Sequence, residues 1–139
     1  MPDGTLHFNV GIDALPDFGA GMELVEDALP ENVPVAVSGT KWAVVDKALT
    51  LKYQKIKEDG VVRYELPIPD GNVSGLKLKH MAKTGVFKGS FKMYATKGGE
   101  KPKLKKYTVN VVGFVVDGVG YGQATMKKPA AGPWSVTVE

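Results

Sequence analysis

The sequence has 139 residues, of which 43% are hydrophobic and 24% charged, a composition that suits one soluble globular domain. It has no cysteine, which excludes disulfides, thiolate chemistry and cysteine-ligated zinc. The formal net charge is +3, but residues 1–34 carry seven acids and no Lys or Arg, whereas residues 35–139 carry all 18 basic residues and eight acids. Either the acidic segment packs against the basic remainder, or the basic surface faces an anionic partner.

Apolar and polar residues alternate along most of the chain, which is typical of strands with one buried face. In the first half the alternation predicts strands over Thr5–Ile12, Val33–Val37, Lys41–Val45, Leu49–Ile56 and Val62–Leu66. Between the last two, Glu58-Asp59-Gly60 predicts a hairpin turn, because Asp and Gly tolerate positive φ.

The second half is more regular. Its alternation predicts strands around Leu76–Lys79 and over Val86–Tyr94, Tyr107–Val116, Tyr121–Lys127 and Trp134–Val138. Lys83-Thr84-Gly85 and Asp117-Gly118 supply turns, and the lysine-rich stretch Thr96–Lys106 is expected to form a loop.

Helical periodicity is weak, and its best candidate is Ala20–Leu29, limited to two or three turns by Gly19, Gly21 and Pro30. The predicted fold is therefore all-β: a small antiparallel β-barrel or barrel-like β-sandwich of about 9–10 strands with at most one short helix. Residues 1–34 are expected to form an acidic strand plus a loop or short helix, packed on or linking to a barrel of residues 35–139.

The sequence gives little support for catalysis. The two histidines, His7 and His80, are far apart in the chain, and no nucleophile, phosphate-loop or zinc-hydrolase motif is present. The acid pairs Glu26/Asp27 and Glu58/Asp59 lie in predicted loops or turns. We therefore expect no enzymatic activity and no cofactor.

Charged residues leave two further possibilities open. Five acids could supply hard oxygen ligands to calcium, although their spacing fits no EF-hand and solvated carboxylates explain them more simply: Asp13, Asp17, Glu23, Glu26 and Asp27. We therefore expect no metal site.

Ten lysines between Lys77 and Lys106 suit a solvated face or protected strand edges, or else an anionic glycan. Nucleic acid is not expected, since Arg63 is the only arginine and interleaved exposed aromatics are missing.

Aromatic residues suggest where a ligand could bind. Sugar-binding surfaces stack flat rings on pyranose faces, and the candidate stacking residues are Trp42, Trp134, Tyr94 and Tyr121. Tyr94 shares its predicted face with Lys88 and Lys92 and is expected to be exposed. Both tryptophans lie near strand starts and could equally fill the ends of a barrel core.

Residues 75–94 read GLKLKHMAKTGVFKGSFKMY, and residues 103–139 read KLKKYTVNVVGFVVDGVGYGQATMKKPAAGPWSVTVE. The pattern KTGxFxGSF, then GVVVDGxGYG and a terminal WxVTVE, resembles a β-domain near the C-terminal ends of large exported proteins of Verrucomicrobia, Lentisphaerae and Planctomycetes bacteria. The resemblance covers about residues 35–139. It implies secretion or surface display, a non-catalytic role and further domains in the parent polypeptide, with no catalytic residues to transfer.

Two functional hypotheses follow. The chain is a non-catalytic accessory module that binds polysaccharide or a surface glycan, or it is a structural or adhesive spacer that anchors its parent without a small ligand. A glycan module should expose a tryptophan beside polar side chains, whereas a spacer should bury both. We expect a secreted or cell-surface location and no membrane insertion, since no apolar run reaches the ~20 residues of a spanning helix. The opening Met1-Pro2-Asp3-Gly4 lacks the basic start of a secretory signal, which we expect to have been removed.

Overall fold

The computed structural model describes residues 4–39, 41–81 and 83–139 of the chain. Within them lie eleven β-strands and a single 3-10 turn at Glu26–Ala28. The strands are β1 Gly4–Gly11, β2 Glu23–Leu24, β3 Val33–Ser38, β4 Lys41–Val44, β5 Gln54–Glu58, β6 Val61–Glu65, β7 Lys77–Met81, β8 Val86–Lys97, β9 Lys103–Val116, β10 Val119–Lys127 and β11 Ala130–Val138. The predicted all-β class is confirmed. No helix in the described ranges has the length and apolarity needed to cross a membrane.

Most strands belong to one antiparallel sheet, in the order β2-β8-β9-β10-β11-β1-β3-β4. Strand β7 also pairs with β8. It occupies the first half of the β8 edge whose C-terminal end pairs with β2. The sheet curls until β4 lies beside β7, although no ladder pairing joins these two strands in the described chain. The result is the predicted barrel-like fold. The remaining strands, β5 and β6, form a separate two-stranded sheet.

The N-terminal strand lies inside the main sheet. Strand β1 pairs with β11 on one side, where Phe8 lies opposite Val138, and with β3 on the other, where Leu6 lies opposite Val35. The predicted boundary between residues 34 and 35 falls inside β3.

Three predicted segments differ from the structure. Ala20–Leu29 forms no α-helix but strand β2 and the 3-10 turn, because Gly19 and Gly21 adopt φ of 106° and 76° and break the helical path. Thr96–Lys106 is mostly paired strand: β8 continues to Lys97 and β9 begins opposite it at Lys103. Residues 49–53 lie outside any strand, and β5 starts at Gln54.

The main core lies on the concave side of the curled sheet. Its largest fully buried side chains include Trp134, Phe8, Phe87, Phe91 and Met93. A smaller second core lies against β8 and contains Val25, Ala28, Leu51, Val73 and Tyr94. The acidic segment and the connection from β4 to β7 contribute four of these five residues, so both segments are held to the sheet by apolar burial.

Candidate functional site

Trp134 belongs to the main core. It lies on β11, its side chain is 1% exposed, and its indole N–H donates a hydrogen bond to the backbone carbonyl of Ala14 at 2.9 Å. The polar edge of the ring is thereby satisfied inside the protein. No face of this ring is open to a sugar.

Trp42 closes the seam between β4 and β7. Its ring lies 5.1 Å from the ring of His80 and 5.3 Å from that of Phe87, measured between centroids, and the residue is 8% exposed. Gly120 makes room for it, since a Cβ there would lie 2.9 Å from Trp42 Cη2. The tryptophans were expected either to stack on a sugar or to fill the core. In the structure both Trp42 and Trp134 lie in the core.

Tyr94 is 2% exposed, so the prediction that it is exposed is wrong. Alternation correctly puts it on the outer face of β8, away from the main core. That face is covered at Tyr94 by the second core, where Val25, Leu51 and Val73 are also buried. The alternation of a single strand cannot reveal a second layer built by distant loops.

Tyr121 is the one predicted stacking residue that is open, at 53% exposed. It lies on the outer face of β10 directly opposite Phe114 of β9, which is 64% exposed. Val112 and Val116 share this face of β9 and are also exposed. We call these four residues the outer patch. Contiguous exposed apolar area of this kind often marks a contact surface.

Polar side chains border the outer patch. Lys88 of β8 and Gln123 of β10 lie opposite Val112 on its two sides, and Thr137 of β11 lies opposite Tyr121. The arrangement is an area of the outer sheet face with an apolar centre and an ammonium, an amide and a hydroxyl around it. It can support a shallow contact, but it brings together no nucleophile and base.

Phe114 was not predicted as a site residue. In the structure Gly113 faces the core next to Phe87, and the alternation therefore turns Phe114 outward. In sequence, however, an exposed phenylalanine in a strand rich in valine cannot be distinguished from a core residue.

The acidic segment borders an open cleft of about 720 Å³. Its walls combine apolar side chains, including Phe18 and Met22, with four carboxylates, those of Asp17, Glu23, Glu26 and Asp27. Asp17 accepts a hydrogen bond from the backbone N–H of Gly19 at 2.9 Å. Across the described part of the chain, no group of three or more His, Asp or Glu side chains could hold a metal ion.

Few oppositely charged side chains form ion pairs in the part of the chain that the structure describes. Both ion pairs in the described residues belong to Arg63, which contacts Glu58 and Glu65 within its own hairpin. The acidic segment does pack against the sheet, since β2 pairs with β8 and Gly21 lies close to the Lys97 side chain. The described carboxylates of this segment nevertheless form no close ion pair with a described lysine. Nine of the ten lysines between Lys77 and Lys106 are exposed, and Lys92 is half-buried.

A comparison with protein-family models, with curated proteins and with solved structures finds no match to this chain. The resemblance to the C-terminal β-domain of exported bacterial proteins therefore stays a prediction.

Proposed function

We propose that this chain is a structural or adhesive module of a larger exported protein, which spaces or anchors its parent and acts without catalysis or a small ligand. The observation that carries the proposal is the burial of Trp42, Trp134 and Tyr94. Three of the four rings predicted to stack on a sugar are instead buried in the two cores. Trp42 is 8% exposed, Trp134 1% and Tyr94 2%, so these rings stabilise the fold.

Opening any of these rings to a ligand would cost stability. Fully burying a large apolar side chain contributes roughly 1.5–3 kcal/mol, and the two tryptophans also pack on other aromatic or backbone groups. A site that required Trp134 to swing out would also lose its hydrogen bond to Ala14. Stacking at these positions is therefore disfavoured energetically as well as sterically.

A second candidate, glycan binding, is favoured by one observation. Tyr121 and Phe114 are both open and lie directly opposite each other, with Gln123 and Thr137 nearby to meet hydroxyl groups. Two exposed rings on neighbouring strands of the outer face could stack on successive sugar units. Against this, the aliphatic Val112 and Val116 complete the patch, and valine side chains suit a protein surface better than a sugar.

The two candidates are separated by titrating the chain with plant, algal and host polysaccharides in calorimetry and affinity electrophoresis. The structural proposal predicts no saturable binding to any of them. The variants Tyr121→Ser and Phe114→Ser are compared with Val45→Ser, which removes an exposed apolar side chain outside the patch. Saturable binding that is lost in the first two variants and kept in the third would overturn the structural proposal in favour of the glycan module.

A further inference from the structure

The hairpin of β5 and β6 stands apart from the rest of the fold. It forms its own two-stranded sheet, and no other described strand pairs with either edge. All five residues of β6 are exposed, including Val61, Val62 and Tyr64. A two-stranded hairpin by itself is marginally stable in water and usually gains stability from further strands. Each strand of the hairpin therefore still has one edge along which a further strand could pair.

The turn determines which backbone groups of β6 face outward. Asp59 and Gly60 connect the strands with φ of 50° and 77°, the signs of a type I′ turn, and Glu58 lies opposite Val61. In such a hairpin the pair beside the turn is hydrogen-bonded, and bonded pairs then alternate with non-bonded ones. Val62 and Tyr64 therefore direct their N–H and C=O groups away from β5, toward the open edge.

The two edges of the hairpin differ in how they are protected. Strand β5 carries Lys55 and Lys57, and exposed lysines are a common device against unwanted pairing at a strand edge. Strand β6 reads VVRYE. Three of its five residues are β-branched or aromatic, and it has no lysine or proline. The β6 edge is thus the one suited to accept another strand.

We propose that a second copy of this chain binds along the β6 edge, so that two hairpins form one four-stranded antiparallel sheet around a two-fold axis. In the pairing we assign, Tyr64 lies opposite Tyr64 of the second copy. Arg63 of each copy lies opposite Glu65 of the other, so the two-fold axis generates this pair at two positions. The inference goes beyond the proposed function and holds whether or not the module binds a glycan.

Charge complementarity selects this register. Outward-facing residues must meet outward-facing residues, so the partner strand can shift only by two positions at a time. One such shift places Arg63 opposite its own copy, and the opposite shift places Glu65 opposite its own copy, and both put like charges face to face. The assigned register instead pairs Arg63 with a carboxylate at both symmetric positions. Within one chain these two residues are already in contact, which shows that their side chains reach each other from the same face.

The register makes a charge-swap experiment possible. Wild-type chain is expected to show a reversible monomer–dimer equilibrium in analytical ultracentrifugation between micromolar and millimolar concentration. In Arg63→Glu the positions facing each other carry only acids, and in Glu65→Arg only bases, so each variant alone should associate about tenfold or more weakly. An equimolar mixture of the two variants restores opposite charges at both positions and should form a heterodimer.

Two controls separate the β6 edge from other surfaces. Val62→Pro removes an outward N–H without removing a hydrogen bond inside the hairpin, and should abolish the dimer. Phe114→Ser alters the outer patch and Lys55→Glu alters a charge on β5, and both should leave the dimer unchanged. Circular dichroism of each variant verifies that the sheet is retained. A chain that stays monomeric at millimolar concentration overturns the inference, as does a dimer that Phe114→Ser abolishes, or a mixture of the charge variants with no heterodimer.

Discussion

The indole N–H of Trp134 donates a hydrogen bond to the backbone carbonyl of Ala14 across 2.9 Å. The bond joins β11, the last strand in chain order, to the acidic segment, 120 positions earlier in the chain. It fixes both the orientation of the ring and the path by which the segment leaves β1. Removing this one side chain should therefore affect the core and the acidic segment together.

We expect Trp134→Phe to lower the free energy of unfolding by about 1–3 kcal/mol, since it keeps an aromatic ring but leaves the Ala14 carbonyl without its donor. Trp134→Ala should cost about 3–5 kcal/mol because it also opens a cavity in the main core. Urea denaturation followed by far-UV circular dichroism measures both. The control Tyr121→Phe, on the exposed face, should stay within about 0.5 kcal/mol of wild type. Equal stability of Trp134→Phe and wild type would show that the bond is unimportant.

Gly113 and Gly122 lie opposite each other on β9 and β10, where the sheet passes under the Phe87 ring. A Cβ at Gly113 would lie 2.6 Å from Phe87 Cε1 and would also clash with the Tyr121 carbonyl oxygen. Gly113→Ala should therefore lower the free energy of unfolding by about 1–3 kcal/mol or more through overpacking.

The matched control for this substitution is Gly11→Ala. Gly11 also lies in a strand, has an ordinary negative φ, and has no atom within 4 Å of the position its Cβ would take. Its replacement should leave stability unchanged or raise it slightly, since alanine restricts the unfolded chain. If thermal unfolding gives the same shift for both variants, the close approach at Gly113 is not structurally important.

Asn72 is a buried polar residue that ties the 46–76 connection together. Its side-chain oxygen accepts a hydrogen bond from the Leu76 N–H at 2.9 Å, and its amide donates to the Leu76 carbonyl at 3.0 Å. Asn72→Ala leaves both backbone groups without partners and should lower the free energy of unfolding by roughly 2–4 kcal/mol. Asn110→Ala, on an exposed face of β9, should have little effect. An equally small effect at position 72 in chemical denaturation would contradict this role.

The strands were predictable where a single periodic signal determines them. Asp59-Gly60 and Asp117-Gly118 specify tight turns through residues that tolerate positive φ, and each connects two strands as expected. Residues 96–106 were not predictable in the same way. Lysines there suggested a loop, but Lys97 and Lys103 pair through their backbones while their side chains remain in water.

The environment of the aromatic residues depends on contacts that the sequence does not encode locally. Tyr94 is covered by segments more than 20 positions distant, among them Leu51 and Val73. Trp42 is enclosed only because the sheet curls until β4 meets β7. The exposure of Tyr121, by contrast, follows from the alternation of β10 and the absence of a covering segment over it in the described chain.

Tryptophan fluorescence tests the central claim most directly, because Trp42 and Trp134 are the only tryptophans in the chain. The single-tryptophan variants Trp42→Phe and Trp134→Phe report on each ring separately. The structural proposal predicts blue-shifted emission, weak quenching by acrylamide and no change on adding any polysaccharide, for both variants in the folded state. Red-shifted, readily quenched emission from either ring, or a saturable change with a polysaccharide, would contradict it.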